Sequence, residues 1–261
     1  MFCKTRHIIS AASIIMTACS HIDTDERLIY VKPVQVAHTV LIEDFTGQRC
    51  INCPKATEEL THILEQYGED AVIAVGIHSG PLGFHTNSRF TGLSTEDGDE
   101  YFNHWKFDYQ PVGLIDRRSP MEYTAWNTSV REQIQKTAPV GISLRLNLAD
   151  SLIHIQTQVS GTDGDTDGKL QLWVVEDSVT AFQLMPDGTR NDNYLHNHVF
   201  RASVNDIWGD DVSVKEGEEL HKDYNIRLSG EWNFSHLSVV GFIYNQTGVL
   251  QATKTKLNNL E

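Results

Sequence analysis

The strongest constraint on this chain lies between residues 39 and 77, where a strand, a helix and a second strand follow one another with little slack. Thr39-Val40-Leu41-Ile42-Glu43-Asp44-Phe45 is rich in β-branched and apolar residues and stops at the turn signal Thr46-Gly47. Ala56, Leu60, Ile63, Leu64 and Tyr67 then recur at helical spacing, with Glu58, Glu59 and Glu65 between them. Pro54 suits a first helical turn and Gly68 the residue just past the end. Residues 71–77 form a nearly continuous apolar run, the pattern of a parallel strand covered on both faces. Together these segments predict a right-handed βαβ unit.

Beyond it, residues 79–104 hold Gly, Ser, Thr, Asn and Asp with little periodicity and read as a long loop or insertion. A strand at Val112–Ile115 follows Pro111, and Trp126, Val130 and Ile134 mark one face of a helix over residues 125–137. Past Pro139 the period changes. Val140, Ile142, Leu144, Leu146 and Leu148 alternate with other residues, and Ile153, Ile155, Thr157 and Val159 repeat the pattern after the turn Ala149-Asp150-Ser151. Further strands are readable at 169–176, 219–228, 237–245 and 249–256, with Thr247-Gly248 as a hairpin turn. The expected fold class is therefore α/β plus all-β: an α/β domain over residues 30–138, then an immunoglobulin-like antiparallel β-sandwich over residues 139–261.

The N-terminus reads as a targeting segment. Lys4, Arg6 and His7 precede an uncharged run from Ile8 to Met16, too short for the ~20 residues of a spanning helix, so a cleaved signal is expected over residues 1–18. Thr17-Ala18 leads directly into Cys19. A signal ending at a cysteine resembles that of bacterial lipoproteins, in which the cysteine is lipidated; the alternative is an ordinary signal peptide that happens to contain one. Residues 19–29 are polar and acidic and look like a tether. The formal net charge is −14, and the first 18 residues hold two cations and no acid, so the exported chain is more acidic still. Such a surface repels phosphate backbones, which argues against nucleic acid as a partner.

With Cys3 in the signal and Cys19 used by a lipid, Cys50 and Cys53 remain, in a compartment that permits disulfides. Cys50-Ile51-Asn52-Cys53 sits between a strand and a helix, where unpaired N–H groups and the helix dipole stabilise a thiolate, and Arg49 adds a positive charge. Two intervening residues allow the second sulfur to resolve a mixed disulfide made by the first, so Cys50 is the expected nucleophile and Cys53 the resolving thiol. The alternative is a structural disulfide clamping the helix start, for which so short a loop is a poor choice. His196 and His198, two apart, would share a face on a strand and could share a metal, against an ordinary hydrogen-bonded role. Asp163-Gly164-Asp165-Thr166-Asp167-Gly168 starts like a calcium loop, but Val174 stands where the bidentate Glu belongs, and a solvated hairpin loop is the better reading.

Asp44-Phe45, four residues, then Cys50-x-x-Cys53 opening a helix resembles the active-site segment of thioredoxin. That resemblance implies a thioredoxin-like domain with Asp44 as proton relay and Pro111 as the cis-proline beside the disulfide. It departs from the family in lacking a Trp before Cys50 and in having Ile-Asn between the cysteines. Residues 40–54, and Tyr194-Leu195-His196-Asn197-His198-Val199, are similar to segments of a family of Bacteroidetes outer-membrane lipoproteins named after a twenty-eight-kilodalton outer membrane protein. The resemblance implies an envelope location and a thioredoxin-like domain combined with a β-sandwich. Two functions follow as expectations: thiol–disulfide exchange on exported proteins, with no cofactor or metal, or binding of a surface ligand by a lipoprotein in which the disulfide is structural.

Overall fold

A computed structural model describes residues 35–257. The expected signal, the tether and Cys19 lie outside the described residues. After a short strand β1 (Val36–Ala37), the apolar run forms β2 (Val40–Thr46), buried along its whole length. Helix α1 (Cys53–Tyr67) and strand β3 (Val72–His78) follow, and β3 pairs parallel with β2 from Val40↔Val72 to Thr46↔His78. Residues 79–104, expected as a loop, contain helix α2 (Glu96–Trp105). Thr95 caps it by accepting from Gly98 N at 3.0 Å, and Glu96, Asp97 and Asp99 suit the positive end of its dipole. Strand β4 (Val112–Ile115) lies antiparallel on the other edge of β2, and helix α3 (Trp126–Gln133) follows.

The second half is strands: β5 (Thr137–Ala138), β6 (Val140–Ala149), β7 (Leu152–Gly161), β8 (Thr166–Glu176), β9 (Val179–Leu184), β10 (Arg190–His196), β11 (Val199–Ser203), β12 (Asp210–Val214), β13 (Glu219–Arg227), β14 (Leu237–Asn245) and β15 (Gly248–Lys256). The last hairpin turns through Gln246-Thr247, since Asn245 pairs with Gly248. No helix among the described residues is long and apolar enough to cross a membrane.

The pairing overturns the expected fold class. The described residues are mostly β, 47% strand against 19% helix, and among them no thioredoxin-like α/β domain stands apart. One eight-stranded sheet runs β15-β14-β8-β11-β3-β2-β4, with β12 also on β8. The junction is β11, which pairs antiparallel with β8 and parallel with β3 through Val199↔Gly76. The outer edge of β3 is thus covered by a strand from far along the chain. The strands expected as an immunoglobulin-like sandwich are likewise shared out, because β8, β14 and β15 belong to the sheet that holds β2 and β3.

One apolar cluster crosses that junction without a break. Leu41, Phe45, Val75 and Leu114 join Trp173, Phe200, Val240 and Phe242, and Tyr101 and Phe102 of α2 pack against them. On the other face, α1 and α3 cover Val40, Ile42, Val72 and Ala74 through Ala56, Leu60, Ile63, Trp126 and Val130. Further along, the antiparallel sheet β13-β7-β6 covers Leu170, Leu172, Val174 and Val239 through Leu146, Ile153, Ile155 and Val159. The large sheet also curls until its ends touch. Val249 N at the start of β15 donates to Asp116 O just past β4 at 2.8 Å. Gly248 is needed there: its φ is +113°, and a Cβ would sit 2.4 Å from Asp116 O.

Candidate functional site

Cys50 and Cys53 are joined by a disulfide. It hangs between the end of β2 and the first residue of α1, and the turn leading to it is tight because Gly47 leaves no side chain. A Cβ on Gly47 would lie 2.2 Å from Leu82 O, and that carbonyl accepts from Arg49 N at 3.0 Å. Cys50 N donates to Gly47 O at 3.0 Å. Arg49, expected as a charge beside the thiol, has its guanidinium held by Gly83 O, its Nε 2.8 Å away.

Both cysteines are buried, each 1% exposed, while Ile51 between them is 47% exposed. The hairpin β9–β10, a two-stranded sheet of its own, is fastened over this turn. Gln183 Nε2 donates to Cys50 O at 2.9 Å and to Gly47 O at 3.3 Å, and Leu184 N donates to Gln48 O at 2.9 Å. The side chain of Gln48, fully buried, returns a bond to Phe182 O at 3.1 Å.

Beneath the disulfide is a cavity of about 50 Å³, lined by Asp44, Cys53, Thr57, His78, Gln183, Tyr194 and His196 among others. Asp44 is 3% exposed and its Oδ1 has no hydrogen-bond partner. Burial alone pushes its carboxyl up to about 7. His78 Nδ1 and His196 Nε2 are also buried without partners, and the two rings meet edge to face at 5.0 Å. Burial holds His78 well below the usual histidine range, helped first by the neighbouring His196 and then by the charge on Arg201, and burial lowers His196 to about 4. Both imidazoles are therefore neutral near pH 7, beside a carboxylic acid that is half ionised there.

Of the residues expected at a site, Asp44 and Cys53 come together at this cavity. The Gln110–Pro111 peptide bond is cis and Pro111 is buried just before β4, but Pro111 is not among the residues lining the cavity. Gln110 ties the neighbourhood together, its Nε2 donating to Thr46 O at 2.8 Å and Ser79 O at 3.0 Å. His196 lies at the cavity and His198 lines it too, but His198 sits in a turn at φ +57°, its Nδ1 3.0 Å from Asp177 Oδ1. Among the described residues no group of three or more His, Cys, Asp or Glu is arranged to hold a metal. The loop before β8 docks on Glu216, whose Oε2 accepts from Gly164 N at 3.1 Å. Sequence reasoning missed His78, Gln183 and Tyr194. His78 ends an apolar run, Gln183 lies on the short, mostly apolar strand β9, and Tyr194 lies on the polar strand β10, which has no readable alternation.

Residues 98–260, more than half of the chain, match the family described as outer membrane protein Omp28. The chain belongs to the Omp28 family. That membership places it in the cell envelope, at the outer membrane. Among solved structures, this Omp28 member is similar to HBP35 of Porphyromonas gingivalis, with 16% identity and a TM-score of 0.70 over 87% of this chain and 77% of that one. At that identity the likeness speaks for the fold alone. A domain of the outer membrane lipoprotein Omp28 from Porphyromonas gingivalis is 23% identical over 46% of this chain and 88% of that one, at a TM-score of 0.34. No curated protein matches.

Proposed function

We propose that this Omp28 family member, anchored through a lipid on Cys19, carries out thiol–disulfide exchange on exported proteins at Cys50–Cys53. The observation that carries the reading is the placement of Asp44, a buried, partnerless carboxyl poised near neutrality, in the same cavity as Cys53. A thiolate of the partner bonds to Cys50 Sγ as the sulfur–sulfur bond breaks, and the electron pair leaves on Cys53. Protonated Asp44 supplies the proton that Cys53 needs. The partner's second thiol, giving its proton to solvent, then attacks its own sulfur in the mixed disulfide and releases Cys50 as a thiolate, which takes up a proton from solvent. In sum a partner dithiol becomes a disulfide and Cys50–Cys53 becomes a dithiol; the reverse uses the same steps, with direction set by the relative potentials. Because both sulfurs are buried under the β9–β10 hairpin, exchange requires that hairpin to lift.

That same burial favours a second reading, a surface-binding lipoprotein with a structural disulfide. Expression of Cys53→Ala in the native envelope separates the two. Exchange predicts mixed disulfides with other exported proteins, absent from the Cys50→Ala Cys53→Ala control, and a pair that equilibrates with glutathione while folded. No trapped species, together with a disulfide reducible only on unfolding, would overturn exchange in favour of the binding protein.

A further inference from the structure

A second site sits on the inner face of the curled sheet and shares no lining residue with the Cys53 cavity. It is an open cleft of about 1090 Å³ with Arg117 in its lining and aromatic walls from His104, Trp105, Trp208 and Tyr244. Arg117 is 7% exposed. Its Nε lies 3.1 Å from Glu43 Oε1, while Nη1 and Nη2 are buried without partners. Trp105 Nε1 is a third buried donor with no acceptor. The guanidinium carbon lies 4.2 Å from the centre of the Tyr244 ring and 4.7 Å from that of Phe242. His104 and Trp208 pack at 4.2 Å with their rings tilted by 41°, and Trp208 Nε1 donates to Glu100 Oε1 at 3.3 Å.

Acceptors line the cleft, Asp167 and Asp211 among them, but none reaches the Arg117 Nη atoms or Trp105 Nε1. A guanidinium carries five donors, and a carboxylate turned fully onto it satisfies two, so Glu43 cannot saturate Arg117 even if the pair becomes bidentate. The rim is net negative, because Lys169 is matched by Asp211 at 2.8 Å and Asp167 adds a second acid, so it does not itself attract an anion. Discrimination must come from the buried donors themselves. We propose that this cleft binds a small organic carboxylate with a flat apolar body. The body lies against Trp208, His104 and Tyr244, and the carboxylate reaches Arg117 and Trp105 Nε1 once the Tyr244 ring tilts aside. The proposal does not depend on the redox reading, since the two sites have separate linings.

The probe is 1-naphthoate, titrated calorimetrically into the full chain beside its neutral isostere 1-naphthamide. The acid should bind saturably and at least about tenfold more tightly than the amide, as expected when a charge-assisted contact is lost. Trp208→Ala should abolish binding. The pair Glu43→Gln Arg117→Met removes both buried charges at once and should bring acid and amide to equal affinity; if it fails to fold, the wild-type acid–amide comparison and Trp208→Ala decide. Equal affinity of acid and amide for the wild type, binding untouched by Trp208→Ala, or no binding of the acid up to about 1 mM overturns the assignment.

Discussion

Replacing Asp44 with Asn tests whether the buried carboxyl holds its proton as the geometry requires. In the folded protein Asp44 is pushed from its ordinary 3.8 up to about 7 by burial, with no cation offsetting it. A folded-state value above the unfolded one means the neutral acid is the form that folding favours. Its contribution is fully present below pH 3.8 and is lost as pH rises through about 7. At about 1.4 kcal/mol per pH unit, the whole window amounts to about 4 kcal/mol. The histidines act in the opposite sense: His196, lowered from 6.5 to about 4, withdraws stability as pH falls through that interval, and His78 does likewise. Both are present in wild type and variant, so they cancel in the difference. Urea unfolding of both proteins between about pH 4 and 8 should show Asp44→Asn gaining on wild type by about 1.4 kcal/mol per unit, levelling off above pH 7. A difference that stays flat with pH, or narrows as pH rises, would refute a carboxyl held neutral by burial.

Gln183→Ala removes the side chain that fastens β9 to Cys50 O and Gly47 O. At about 2 kcal/mol for the lost bonds, reduction of the folded protein's disulfide by dithiothreitol should speed up roughly thirtyfold, and an unchanged rate would show that the hairpin does not gate access. Cys19→Ala should move the protein from the detergent-rich to the aqueous phase on partitioning; a mature N-terminus elsewhere than Cys19 would remove the anchor.

What the sequence allowed one to read is set by how local each signal is. β2, α1 and β3 were legible because their apolar periods are complete within each element. Asp44, Cys50 and Cys53 were legible because their spacing is local too. The joining of the halves was not, since it rests on Val199 pairing with Gly76 and on Val249 N reaching Asp116 O, contacts that leave no mark on neighbouring residues. β10 shows the same limit from the other side: Arg190-Asn191-Asp192-Asn193 has no apolar face, because that strand is a largely exposed flap over the cysteines and not part of a core. Helix α2 did carry a signal, Thr95 followed by Glu96, Asp97 and Asp99, but its few apolar residues sit in the last turns and give no full period.

Buried polar atoms without partners are costly, about 1–3 kcal/mol each, so their distribution carries information. Setting aside His198 Nδ1, which pairs with Asp177, seven of the nine such atoms among the described residues fall in two groups: Asp44, His78 and His196 around the Cys53 cavity, and Glu43, Trp105 and both Arg117 Nη atoms at or behind the aromatic cleft. Incidental packing defects would be spread over the whole fold. These two groups are instead joined by adjacent residues of one strand. Successive side chains on β2 point to opposite faces, so Leu41, Glu43 and Phe45 look toward α2 while Val40, Ile42 and Asp44 look toward α1. One strand therefore places an acid on each face of the sheet, one beside a disulfide and one beneath a cleft. The backbone of β2 is hydrogen-bonded on both edges, to β3 and to β4, and is buried from end to end. A strand so held transmits little movement between its faces. It follows that reducing Cys50–Cys53 leaves the affinity of the cleft unchanged, and that filling the cleft leaves the pH dependence of Asp44 where burial sets it.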